Sequence, residues 1–152
     1  MAARFLIFFL INFGGLALGG FLQQNGVSSD WYLNMNRAPW TPPGWVFGAA
    51  WTTIMICFSI YMALLWDQFE EKRSILFVFV PALLLNIAWN PIFFALRQVT
   101  LGLIVLIALT LVIAYFFFKY WPILKSKSLL LAPYLIWLLI ANSLNAYVLF
   151  NN

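Results

Sequence analysis

Acid–base, nucleophilic and metal chemistry need imidazoles, thiols or carboxylates gathered in one place, and this sequence has almost none to gather. It has no histidine and a single cysteine, Cys57, which lies inside an apolar run and reads as a small filler. That excludes a Ser-His-Asp triad, a zinc site, a CxxC pair and a histidine-ligated haem, and no metal or resident cofactor is expected. The four acids, Asp30, Asp67, Glu70 and Glu71, all fall outside the apolar runs, so no buried carboxylate pair or proton relay crosses them. What the chain does hold is aromatic surface. Residues 30–47, DWYLNMNRAPWTPPGWVF, carry Trp31, Tyr32, Trp40 and Trp45 together with Pro39, Pro42 and Pro43. Proline fixes φ and biases the preceding residue towards extended geometry, so these rings sit on a stiffened loop. Such a loop suits a pre-ordered lid over a pocket, where little ordering entropy is lost on binding. The competing reading is a belt of aromatic side chains at the membrane interface. It fits Trp45 at a helix start and Trp66 and Trp121 at helix ends, but a belt needs no stiffening.

A second set of candidates lies within the apolar runs. Asn86, Trp89 and Asn90 are spaced to share one helical face, and Pro91 deletes an N–H and frees the carbonyl of Ile87 beside them. Trp137, Ala141, Leu144 and Asn145 follow i, i+4, i+7, i+8, with Asn142 nearby, and Asn12 accompanies Gly15 and Gly19. Amides in hydrocarbon need partners, and interhelical hydrogen bonding accounts for Asn12, Asn86, Asn142 and Asn145. Asn90, beside the kink, has two readings: a partner across the bundle, or a group that orients the polar part of a ligand. Trp51 lies too deep in its run for a belt residue, and Trp137 has the same depth if the last helix begins near Leu129.

These residues need elements to hold them, and composition says which. With 65% hydrophobic and 8% charged residues over 152 positions, and a mean hydropathy of +0.96, the chain cannot cover itself with a water-compatible surface. It is a membrane protein. Five runs, 5–22, 45–66, 75–96, 101–121 and 129–150, each approach the roughly 20 residues that cross the hydrocarbon as a helix. The fold class expected is all-α: a single domain over 1–152, a bundle of five transmembrane helices with an ordered aromatic and proline-rich loop between the first two. The first run resembles a signal peptide in form, with Arg4, an apolar core and GLALGG. The Gly15–Gly19 GxxxG spacing favours instead a retained helix that packs closely. Arg4, Lys72, Arg73, Lys119, Lys125 and Lys127 fall on one side of this topology, and Arg37 and Arg97 on the other. In a bacterial cell membrane that bias puts the N-terminus in the cytoplasm and the C-terminus outside. The basic residues are scattered through turns, so the net charge of +4 reports orientation and no nucleic-acid partner is expected.

Three segments carry a family resemblance: WYLNMNRAPWTPPGWVFGAAW at 31–51, NIAWNPIFF at 86–94 and PYLIWLLIANSLN at 133–145. In that order on five spans, the chain resembles the TspO/MBR family of tryptophan-rich sensory proteins and translocator proteins. The resemblance implies a five-helix bundle, commonly a homodimer, whose first loop caps a pocket for porphyrins such as protoporphyrin IX, haem, sterols or benzodiazepine-site drugs. It implies a pocket of Trp31, Tyr32, Trp40 and Pro42 from the loop, Trp51, Asn90, and Trp137 with Ala141. Two departures stand out. The family's Lys-Pro is replaced by Arg37-Ala38-Pro39-Trp40, with the proline one place later. No basic residue follows Tyr147, as the sterol pattern of some relatives requires.

Three functions compete at this level. The first is binding of a porphyrin-type or other flat hydrophobic ligand for transport or sensing, with stacked rings on the π-face and Arg37 for carboxylates. The second is light- and oxygen-dependent breakdown of protoporphyrin IX, with Trp51 and Trp137 as candidate electron donors, since the sequence supplies no general base. The third is a structural or partner-binding membrane module that associates through GxxxG.

Overall fold

The computed structural model describes all 152 residues, and every element in it is helical. The order is α1 (Ala2–Leu22), α2 (Asp30–Leu33), α3 (Gly44–Gln68), α4 (Lys72–Asn90), α5 (Val99–Leu124) and α6 (Ala132–Asn151). A 3-10 turn, Gly26–Ser28, precedes α2. A π-helical turn, Pro91–Ala95, extends α4, and a 3-10 segment, Lys125–Leu131, joins α5 to α6. The last helix therefore starts at Ala132 instead of near Leu129. Pro133 explains the boundary, because a residue without an N–H is tolerated in the first turn of a helix.

Four helical segments are long and apolar enough to cross a membrane: Ala2–Ser28, Gly44–Gln68, Lys72–Ala95 and Val99–Asn151. The count is four because the last runs unbroken for 53 residues through the 3-10 segment, although α5 and α6 within it pack against each other.

Apolar residues cover both sides of the helices, so hydropathy alone does not distinguish core from lipid. Phe77 and Phe118 are 82% and 72% exposed. The inward faces are marked by small and polar residues at helical spacing, as with Phe8, Asn12, Gly15 and Gly19 on α1. Each buried amide has found a partner across the bundle. Asn12 Nδ2 donates to Ser59 Oγ at 2.9 Å and Asn86 Nδ2 to the Tyr134 hydroxyl at 2.8 Å. Asn142 Nδ2 donates to Thr110 Oγ1 at 2.9 Å, and Asn145 Nδ2 to the Val99 carbonyl at 2.9 Å. In hydrocarbon, where water cannot serve, these bonds fix which helix lies beside which.

Gly15 and Gly19 face α4 of the same chain. A Cβ on Gly15 would lie 2.7 Å from Leu83 Cδ1, and one on Gly19 would lie 3.0 Å from Asn90 Nδ2. The GxxxG spacing is thus used inside the protomer.

The two ends of the bundle are tied differently. At one end Arg4 pairs with Asp67, the N-terminal ammonium is 3.6 Å from the same carboxylate, and Lys119 Nζ donates to Ser74 Oγ at 2.9 Å. Lys72 donates to the carbonyls of Trp66 and Phe69, where α3 ends and a cation suits its dipole. At the other end the 23–43 connection folds over the helices and is fastened to the end of α6.

Candidate ligand-binding cavity

The connection owes its shape to local signals. Ser29 Oγ accepts the Tyr32 N–H at 3.3 Å and so caps the single turn of α2. That turn sets Trp31 edge-on to Phe93, with ring centroids 5.6 Å apart, and Tyr32 edge-on to Phe94 at 5.3 Å. Two guanidinium groups lie over these rings: Arg37 5.3 Å from the Tyr32 centroid and Arg97 6.0 Å from that of Trp31. Beyond α2, Thr41 donates to the Ala38 carbonyl from both its N–H (2.9 Å) and its hydroxyl (2.7 Å), closing a turn between Pro39 and Pro42. Pro43, extended at φ −60° and ψ 151°, starts α3.

The connection is latched at two points. Trp40 Nε1 donates to Ser143 Oγ at 3.1 Å, and its ring lies edge-on to Tyr147 at 5.4 Å. Nearer α2, the Asn36 N–H donates to Asn152 Oδ1 at 2.8 Å, and Asn152 Nδ2 returns a bond to the Asn36 carbonyl at 3.0 Å.

Beneath the connection lies a cavity of about 650 Å³. Its walls are mostly apolar. Phe47 and Trp51 come from α3, Trp89 from α4, and Phe93 and Phe94 from the π-turn. Pro91 causes that turn. Without its N–H the ladder widens, the Leu96 N–H bonds the Pro91 carbonyl at 2.9 Å, and Phe93 and Phe94 swing under the lid. The polar lining is sparse. Asn145 is already engaged, receiving Trp89 Nε1–H at 3.4 Å and bonding Val99. Asn90 lines the same cavity with a side-chain amide that makes no hydrogen bond to the protein. Arg37 is the one charged residue in the wall, and neither ion pair of the chain involves it.

The residues singled out from sequence divide by position. Tyr32, Pro42, Trp51, Asn90 and Ala141 line this cavity. Trp31 lies outside it, behind Phe93, beside a smaller polar recess that also includes Asp30 and Arg97. Trp40 is 54% exposed on the outer side of the latch. Trp137 is only 6% exposed and packs edge-on behind Phe47 at 5.2 Å, so Phe47 presents the ring that faces the cavity. Phe47, Phe93 and Phe94 were not singled out from the sequence. Their signal was present but faint, since Phe residues abound in the spans and only the π-turn decides which way this pair points.

The arrangement can bind a flat apolar molecule edge and face, meet a polar group with the Asn90 amide, and meet an anion with Arg37 at the rim. It offers no base or nucleophile for hydrolytic chemistry.

Comparison with known proteins gives a consistent picture. The family model described as "TspO/MBR family" matches residues 7–150. A protein named "Tryptophan-rich protein TspO" from Archaeoglobus fulgidus is 34% identical over 132 residues, covering 84% of this chain and 82% of its own. The "Tryptophan-rich sensory protein" of Cereibacter sphaeroides is 32% identical, covering 76% of this chain and 73% of its own. The human "Translocator protein" is also 32% identical, covering 85% of this chain and 80% of its own.

Proposed function

Given that the chain belongs to the TspO/MBR family, we propose that it is a membrane receptor for porphyrin-type ligands such as protoporphyrin IX or haem, serving their transport, sensing or homeostasis. The observation that carries this reading is the aromatic cavity of about 650 Å³ under the first loop, with Arg37 as its lone charge. Drug-sized and cofactor-sized ligands occupy pockets of roughly 300–1,000 Å³ with apolar walls and a few convergent polar groups. A porphyrin matches both features, with a wide π-face for Phe47, Trp51 and Phe93 and peripheral carboxylates for Arg37.

The same reading takes the protein across the membrane five times. Val99–Asn151 would extend about 80 Å as a straight helix at 1.5 Å per residue, far beyond a hydrocarbon layer of about 30 Å. Packing of α5 on α6 supports a fold-back at Lys125–Leu131. In a bacterial cell membrane, the basic end of the bundle faces the cytoplasm and the lid faces outward. A homodimer, expected from the family, uses a face other than the Gly15–Gly19 pair, which packs on α4. That internal use also weakens the reading of the chain as a purely structural module.

Titration of the reconstituted protein with protoporphyrin IX, read as tryptophan quenching, should saturate. Linear, non-saturating quenching equal to that of empty vesicles plus free tryptophan would end the receptor reading. Light-driven breakdown of the ligand is a second reading, supported by Trp51 in the cavity wall as a one-electron donor. It is separated by repeating the titration in the dark without oxygen: binding persists, and breakdown stops.

A further inference from the structure

The cavity is closed above by the lid but not on every side. Towards the basic end, α1 and α3 are in close contact: Asn12 bonds Ser59 at 2.9 Å, and Phe8 meets Trp66 with ring centroids 5.8 Å apart. Towards the lid they diverge. Gly20 of α1 and Gly44 and Gly48 of α3 all line the cavity, yet a Cβ built on any of them finds no atom within 4 Å. Glycines that pack two helices together behave otherwise, as Gly15 and Gly19 do against α4. Gly44, Gly48 and Thr52, spaced i, i+4, i+8, are moreover both cavity-lining and exposed on the outside of the bundle. The wall is therefore open here, along about 12 Å of α3 at 1.5 Å per residue. Trp45, 74% exposed, marks the headgroup level one residue into α3, so the opening descends from there into the hydrocarbon.

We propose that this gap between α1 and α3 is a side door through which an apolar ligand passes between the outer leaflet and the cavity, and that Gly20 and Gly48 set its width. The chemistry on each side agrees. A flat apolar molecule partitions into lipid, and the door leads it directly to Trp51 and Phe47 without crossing water. The lid, latched through Trp40 and Asn36, can then stay shut during exchange. The inference rests on the receptor reading for the identity of the ligand, but not for the existence of the door.

The test uses the full chain in vesicles. Phospholipid carrying bromine on its acyl chains quenches tryptophan on contact, and the Trp51 contribution is obtained by subtracting Trp51→Phe. That contribution should be strongly quenched in the unliganded wild type and protected severalfold in Gly20→Leu and Gly48→Leu. Gly14→Leu is the control, because Gly14 also has open space around its Cβ but does not line the cavity. Gly48→Ala should fall in between. Loading of protoporphyrin IX from donor vesicles should slow about tenfold or more in the two leucine variants. Equal Trp51 quenching in the wild type, Gly48→Leu and Gly14→Leu overturns the door, as does an unquenched Trp51 in the wild type, a sign that a second copy or the helices themselves seal the gap. Door-dependent quenching without any saturable porphyrin binding upholds the door and rejects the proposed ligand.

Discussion

The two halves of this bundle use the same residue types to opposite ends. In the half towards the basic end, Phe58, Tyr61, Phe116, Tyr120 and Tyr134 are almost wholly buried, and Phe58 alone meets four other rings at centroid distances of 5.5–6.4 Å. In the half under the lid, Phe47, Trp51, Trp89 and Phe93 surround empty volume. Aromatic content does not distinguish them; backbone does. The filled half has regular α-helices, while the hollow half has a π-turn at Pro91–Ala95, glycines facing space, and a connection held by a few polar bonds. Packing density sets stability in one half, and its deliberate absence makes room in the other.

The largest effect that would sharpen this contrast is Phe58→Ala. Removing a ring from a close-packed core costs about 3–5 kcal/mol, and unfolding in a denaturing-detergent titration should show a loss of that size. Phe118→Ala, on the lipid-facing side of α5, should cost far less. Similar losses in both would mean that the basic half is not a rigid core but a lipid-like filling.

Next in size is the glycine contact that joins the halves. Gly15→Leu drives a side chain into Leu83, and Gly19→Leu into Asn90 and the Ile87 carbonyl. Overpacking of this kind costs about 1–3 kcal/mol. Gly14→Leu and Gly20→Leu should leave thermal stability unchanged or raised, as a glycine is removed from a helix without a clash. If all four behaved alike, the close approach of α1 to α4 would be wrong.

A ligand distinguishes the halves more gently. Trp51→Phe removes ring overlap at the cavity wall, and a stacking contact beyond burial is worth about 0.5–1.5 kcal/mol, roughly a two- to tenfold weakening of protoporphyrin binding. Trp137→Phe, one layer back behind Phe47, should affect stability before affinity. An equal loss of affinity in both would show that a bound ligand displaces Phe47 and reaches the second tryptophan.

Much of this was legible in the sequence, for reasons that differ by region. The helices could be read from apolar run length, because hydrocarbon thickness fixes that length. Interhelical amides could be read because an unpaired amide in lipid is costly, and Asn12, Asn86, Asn142 and Asn145 each bond to another segment. The site was harder. Tyr32, Pro42, Trp51, Asn90 and Ala141 converge on one cavity, but whether a ring faces the hollow or stands one layer behind depends on a few tens of degrees of helix rotation. Sequence spacing does not resolve that for Phe47 and Trp137. Nor does it show which glycines touch a neighbour: Gly19 and Gly20 are adjacent, one packed against α4 and the other beside open space.

The smallest effect lies in the lid, where a few hydrogen bonds hold what no core supports. Trp40→Phe keeps the edge contact with Tyr147 but deletes the Nε1–H bond to Ser143, and Asn152→Ala deletes both bonds to the Asn36 backbone. A net hydrogen bond contributes about 0.5–1.5 kcal/mol, so each change should speed amide exchange across residues 36–42 roughly two- to tenfold. Because the lid shares little packing with the filled half, global unfolding should stay at the wild-type midpoint while this local opening rises. Exchange that accelerated equally in α3 and α5 would show that lid and core open as one unit, and the contrast between the two halves would then be a difference of packing without a difference of stability.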